Sequence, residues 1–136
     1  MILKKGIKMR KLLFGISFMS VAFASNIALA AGYPSFVIGT WSVLGNQTPG
    51  LLIITFQFNT GGCGPISGTI YGNNIEGFYC PSSGRIHFLR KLAGTNRTFQ
   101  AWTGNLSQVG TTLHMGGVFS DVLDSPLGEY NFQASK

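Results

Sequence analysis

LLIITFQFNTGGCGPISGTIYGNNIEGFYC, residues 51–80, holds three runs of strand-forming residues separated by two clusters of turn residues. Leu52, Ile54, Phe56 and Phe58 alternate with Ile53, Thr55, Gln57 and Asn59. That period of two gives a strand one apolar and one wetter face, and the first set is assigned to the core. Thr60-Gly61-Gly62 ends the run, Gly64–Tyr71 forms the next, and Gly72-Asn73 leads into Asn74–Cys80. Glycine and asparagine tolerate the positive φ of tight hairpins. Links this short join antiparallel neighbours, because a parallel crossover needs about a dozen residues or more.

The same punctuation extends in both directions. Phe36–Leu44 precedes it, closed by the turn-rich Gly45–Gly50; Arg85–Leu92, Arg97–Leu106, Thr111–Ser120 and Gly128–Ser135 come after it. Pro81–Gly84, Ala93–Asn96, Ser107–Gly110 and the longer Asp121–Leu127 separate them, and no stretch carries a helical stripe. Eight strands in an up-and-down order can close on themselves and remove both exposed edges, which this charge-poor chain is ill equipped to protect. The fold class is therefore all-β, an eight-stranded antiparallel up-and-down β-barrel, with a two-sheet sandwich as the alternative. A barrel of this size is either packed solid or holds one small molecule.

Cys63 and Cys80 bear on the register. If the hairpin turns around Ile70–Asn73, Thr69 faces Asn74, Ser67 faces Glu76, Pro65 faces Phe78 and Cys63 faces Cys80. A structural disulfide is expected for an exported chain, contributing on the order of 3 kcal/mol by restricting the unfolded state. The spacing fits neither a Cys-x-x-Cys redox site nor a zinc knuckle.

Export is read from the first thirty residues. Lys4, Lys5, Lys8, Arg10 and Lys11 form a basic head, and Leu12–Ala24 is a mostly apolar stretch too short to span a bilayer comfortably. Ala28 and Ala30 suit a signal peptidase, so residues 1–30 read as a cleaved secretory signal peptide and 31–136 as one barrel domain, secreted or periplasmic. Cleavage after Ala24 is the alternative, and Met9 is an alternative start. Without the leader, five basic residues face four acidic ones, a net charge of +1 instead of +6. The basicity belongs mainly to a targeting device, which excludes nucleic acid as a partner and a membrane after cleavage.

Several segments along the barrel resemble a known family. Gly39-Thr40-Trp41 matches the Gly-x-Trp that opens the first strand of calycins, the barrel group that includes lipocalins and avidins. Ser67-Gly68-Thr69-Ile70-Tyr71, Phe99-Gln100-Ala101-Trp102-Thr103-Gly104-Asn105 and Gly128-Glu129-Tyr130-Asn131-Phe132 resemble avidin strands three, six and eight. The resemblance implies that Trp41 closes one end of the barrel and that Trp102 lies beside a ligand ring. It also implies a small amphipathic or apolar ligand, with biotin among the candidates. The positions matching the avidin ureido-binding set carry Val43, Gln47, Ile70 and Tyr130; a one-residue slip brings in Asn46, Tyr71 or Asn131. The biotin-binding set is thus incomplete.

Other constellations point to ordinary structural roles. His87 and His114 lie on separate strands with no nearby carboxylate to orient a ligating imidazole, so no metal site is assigned. Ser120-Asp121 and Asp124-Ser125 lack a nucleophile elbow or paired carboxylates and read as turn caps. Arg85, Arg90 and Lys91 read as a solvated basic face. No catalytic residues and no cofactor are assigned. The leading expectation is a non-enzymatic ligand-binding barrel using Tyr71, Trp102, Met115, Phe119 and Tyr130 at its open end. The alternative is a protein-interaction or protease-inhibitor barrel acting through Ala31–Ser35 or the loops. Outward apolar residues such as Ile53, Phe88 and Val118 are expected to be covered in a homodimer or homotetramer.

Overall fold

The computed structural model describes residues 33–58, 62–123 and 127–136. The leader with its cleavage site, Ala31, Gly32, Asn59, Thr60, Gly61, Asp124 and Ser125 lie outside the described residues. Eight strands succeed one another in chain order: β1 (Gly39–Gly45), β2 (Thr48–Gln57), β3 (Gly64–Ile70), β4 (Asn73–Cys80), β5 (Arg85–Lys91), β6 (Thr98–Val109), β7 (Thr112–Asp121) and β8 (Glu129–Ser135). Each pairs antiparallel with the next, and β1 also pairs with β8 through Ser42–Gly45 and Phe132–Ser135. The sheet is a closed barrel. Closure rules out the two-sheet sandwich, and it satisfies the outer hydrogen bonds of β1 and β8 without a partner molecule.

The inward set is read off by alternation. Trp41 and Val43, Leu52 and Ile54, Ile86 and Phe88, Trp102 and Leu106, Met115 and Phe119, and Phe132 and Ala134 are all buried. In β2 the expected core face holds for Leu52 and Ile54 and fails for Phe56 and Phe58, which are 49% and 54% exposed. The cause is a bulge: Ile54 faces Gly68, Phe56 faces Ser67, and one residue between them is unpaired. A bulge inverts the phase of the strand residues beyond it, so Phe56 turns outward and Gln57 inward. Phe88 departs from expectation in the other direction. It is fully buried, its ring stacked 5.7 Å from Trp102, and is no candidate for a subunit interface. Ile53 and Val118 do face outward, partly exposed.

One end of the barrel is closed by the segment entering β1. Trp41 is fully buried and its indole N–H donates to Val37 O at 2.9 Å. Val37 N–H donates to Gln57 Oε1 and Gln57 Nε2 donates to Ser35 O, both at 2.8 Å. Tyr79, fully buried, donates its hydroxyl to Pro34 O at 2.6 Å. Lys136 lies over the Trp41 ring, 5.3 Å from its centroid, and donates to Ile38 O. The inward turn of Gln57 after the bulge thus supplies the polar side chain that ties residues 35 and 37 across the opening.

The hairpin of β3 and β4 has the register read from the sequence. Gly64 faces Tyr79, Pro65 faces Phe78, Ser67 faces Glu76 and Thr69 faces Asn74. Cys63 and Cys80 form a disulfide with their Cα atoms 4.0 Å apart. Replacing both cysteines by alanine is expected to lower stability by about 3 kcal/mol, measured by urea unfolding against the oxidised protein.

Tyr79 carries a pH dependence of its own. Burial, with a smaller contribution from Tyr33, pushes its pKa from 10.0 up to about 12. The fold therefore favours the neutral phenol, and this contribution is complete below pH 10 and lost as the pH rises towards 12. In Tyr79→Phe that alkaline loss should disappear from the pH profile of the melting temperature, while neutral-pH stability falls by about 1 kcal/mol for the missing hydrogen bond.

Candidate functional site

The opposite end is the open one, where β1 turns into β2, β3 into β4, β5 into β6 and β7 into β8. A cavity of about 370 Å³ lies there, lined by Gly45, Asn46, Thr48, Tyr71, Arg90, Gln100, Trp102, Phe119, Asp121 and Tyr130. Its floor is the top of the core. Trp102 stacks on Phe119 at 4.1 Å and lies nearly parallel to Phe88, while Phe132 meets it edge-on at 4.9 Å. Both indole faces are occupied by protein, so the lumen below Trp102 is packed solid. The indole N–H of this fully buried residue has no acceptor among the described residues. Leaving it unpaired costs about 1–3 kcal/mol, a cost that an acceptor reaching it would relieve.

Tyr71 forms one wall by an unusual backbone choice. Tyr71 and Gly72 have φ of 49° and 78°, left-handed at both central positions of a two-residue hairpin turn, and Asn46 and Gln47 repeat this at 44° and 66°. Asparagine is common in such a position, whereas a bulky aromatic costs on the order of 1–3 kcal/mol there. This conformation folds the side chain back across the mouth. The Tyr71 hydroxyl donates to Thr48 O at 2.7 Å and accepts from Gly45 N–H at 3.0 Å, joining two hairpins. Glycine at 45 and 50 makes the space. A Cβ at Gly45 would lie 2.8 Å from that hydroxyl, and one at Gly50 would run into the tyrosine ring.

The other wall is polar. Arg90 sits between the rings of Tyr71 and Phe99, 5.2 and 5.1 Å from their centroids. Its Nε and Nη2 donate to Asn73 Oδ1 at 3.2 and 2.6 Å, and its Nη1 donates to Gln100 Oε1 at 3.0 Å. Gln100, itself buried, donates through Nε2 to Asp121 Oδ1 at 2.7 Å. A guanidinium only donates and a carboxylate only accepts, so the orientation of the Gln100 amide is dictated by its two neighbours. Burial lowers the Arg90 pKa, opposed by Tyr71 and by the charge of Asp121.

The structure brings together four of the five residues singled out from the sequence: Tyr71, Trp102, Phe119 and Tyr130 line one cavity. Met115 is inward and buried in the core, but does not line the mouth. Of the positions matched to a ureido set, Val43 and Ile70 are buried in the core and Gln47 is exposed in its turn. The one-residue slip brings Asn46 and Tyr71 to the mouth, while Asn131 points outward and Tyr130 remains.

Arg90 and Asp121 overturn their sequence readings. Arg90 is no part of a solvated face, and Asp121 is a mouth residue that accepts from Gln100 instead of capping a turn. Strand phase would have found all three polar residues: Arg90 follows Ile86 and Phe88, Gln100 precedes Trp102, and Asp121 follows Phe119, each two positions apart on an inward face. Arg85 and Lys91 do face outward, Lys91 pairing with Glu76 at 3.4 Å. His87 also lies outside, hydrogen-bonded to Thr103 Oγ1 at 2.7 Å. Tyr33, Pro34 and Ser35 of the expected interaction arm lie against the closed end, where Pro34 and Ser35 accept hydrogen bonds from the barrel.

The barrel is compatible with the calycin architecture. Comparison with models of known protein families gave no match, and comparison with curated protein sequences gave none.

Proposed function

We propose that this protein is an exported, non-enzymatic barrel of avidin-like form that binds a small, partly polar molecule at its open end. The observation that carries this reading is the mouth cavity whose floor is Trp102, with a buried indole N–H that no described residue satisfies. A rigid aromatic floor, a polar wall and a concave mouth are the usual parts of a small-molecule site. Tyr71, Phe119 and Tyr130 supply contact area, Asn46 and Gln100 supply hydrogen-bonding groups, and the filled lumen limits the ligand to the mouth. Biotin is one ligand to test, against a set of polar wall residues that differs from the avidin ureido set. Export accords with the leader and with the Cys63–Cys80 disulfide, which an oxidising compartment sustains.

Intrinsic tryptophan fluorescence against a panel of small molecules that includes biotin tests the reading. Trp102→Ala is a poor control, since removing the indole from between Phe88 and Phe119 costs about 3–5 kcal/mol. Trp102→Phe keeps a ring in the stack and deletes the N–H. A ligand that uses the N–H should shift the emission of the parent protein and bind the Phe variant about ten-fold or more weakly by calorimetry. Silence of the whole panel in both assays would remove the proposal.

A further inference from the structure

Arg90 and Asp121 are opposite charges at one rim of the mouth, held apart by one carboxamide. The Gln100 amide bridges them, its oxygen to the guanidinium and its nitrogen to the carboxylate, so the two charges are spaced to engage an acceptor and a donor carried by one small group on the cavity side of the bridge. Neither charge is exhausted by this bridge. A guanidinium has five N–H donors, and the three hydrogen bonds of Arg90 go to neutral amide oxygens. Asp121 accepts from Gln100 at one carboxylate oxygen, and no Lys or Arg among the described residues lies within ion-pair distance of it. The guanidinium carbon of Arg90 lies 5.1 Å from the Phe99 ring centroid and 5.2 Å from that of Tyr71.

Such a pair discriminates by charge pattern. An anion that approaches Arg90 also meets Asp121, and a cation at Asp121 meets Arg90, so a singly charged ligand gains at one residue what it loses at the other. A molecule with an acceptor anion and a donor cation attached to one carbon gains at both, in a half-buried setting where such contacts are stronger than in bulk water. We propose that the open-end site takes zwitterions of the α-amino-acid type, carboxylate to Arg90 and ammonium to Asp121, with a flat apolar side chain against Phe119 and Tyr130. The inference rests on the small-ligand reading above and specifies its ligand class. The 370 Å³ mouth accommodates one aromatic ring with its charged head.

The experiment is isothermal titration of the oxidised protein at neutral pH with three probes that share one ring: L-phenylalanine, 3-phenylpropionate and phenethylamine. L-phenylalanine should bind saturably, and each singly charged analogue at least ten-fold more weakly. Arg90→Gln and Asp121→Asn should each reduce L-phenylalanine binding by a similar factor, and Asp121→Asn should bring 3-phenylpropionate closer to L-phenylalanine by removing the opposing charge. Circular dichroism melts report whether the variants fold, and the three probes on the parent protein give the answer without them. If the two analogues bind as tightly as L-phenylalanine, the charge-pattern proposal falls while the small-ligand reading stands. If none of the three binds but a member of the fluorescence panel does, the ligand class is wrong and the site is right. Silence in both assays overturns both.

Discussion

Everything else in this molecule hangs on the pairing of β1 with β8. Eight strands in a row would leave two open ladders, and this sequence has little charge with which to guard them. Closing the sheet removes the edges and, in the same step, confines every inward side chain to a narrow lumen. Trp102 between Phe88 and Phe119, with Phe132 against its edge, fills the middle of that space. Closure therefore yields a solid core with two distinct ends.

The two ends are built by opposite means. At one, the chain entering β1 is drawn across the opening by Trp41, Gln57 and Tyr79, which commit their polar atoms to backbone carbonyls and amides of residues 34–37. At the other, one side chain, Tyr71, reaches across from a strained turn and leaves a cavity beside it. The polar groups of the first end are saturated by the protein itself. At the second, Tyr71 and Gln100 are likewise satisfied, but the charge of Arg90 is met by neutral amide oxygens and Asp121 accepts from a neutral amide, while the buried Trp102 N–H beneath the cavity has no acceptor among the described residues. This asymmetry is the physical ground for the proposal that a ligand binds at the mouth.

Legibility in the sequence varies with the range of the interaction. The β3–β4 register and the Cys63–Cys80 bond are readable because a two-residue turn fixes every opposite pair along its hairpin. The strands of the barrel are readable because turn residues interrupt them at short intervals. The inward turn of Arg90 cannot be read from its charge, since charged residues are ordinarily exposed; only its phase with Ile86 and Phe88 marks it. Phe56 and Phe58 defeat the alternation rule because it is broken by a bulge, which depends on the pairing of β2 with β3 and leaves no mark in the apolar pattern.

The number and order of the strands, the facing of two cysteines and the all-β class are legible in the chain alone because backbone preferences act over a few residues. Thr48–Gly50 and Ser107–Val109, read as turns, are instead drawn into β2 and β6 by pairing with their neighbours. Three properties exist only in the assembled barrel: which inward residues share a level, the filling of the lumen below Trp102, and the joining of Arg90, Gln100 and Asp121 from three strands into one hydrogen-bonded wall. Alternation along a strand says which side of the sheet a residue faces, but its height relative to a neighbour is set by register. Register beyond a tight hairpin is settled by packing around the closed barrel.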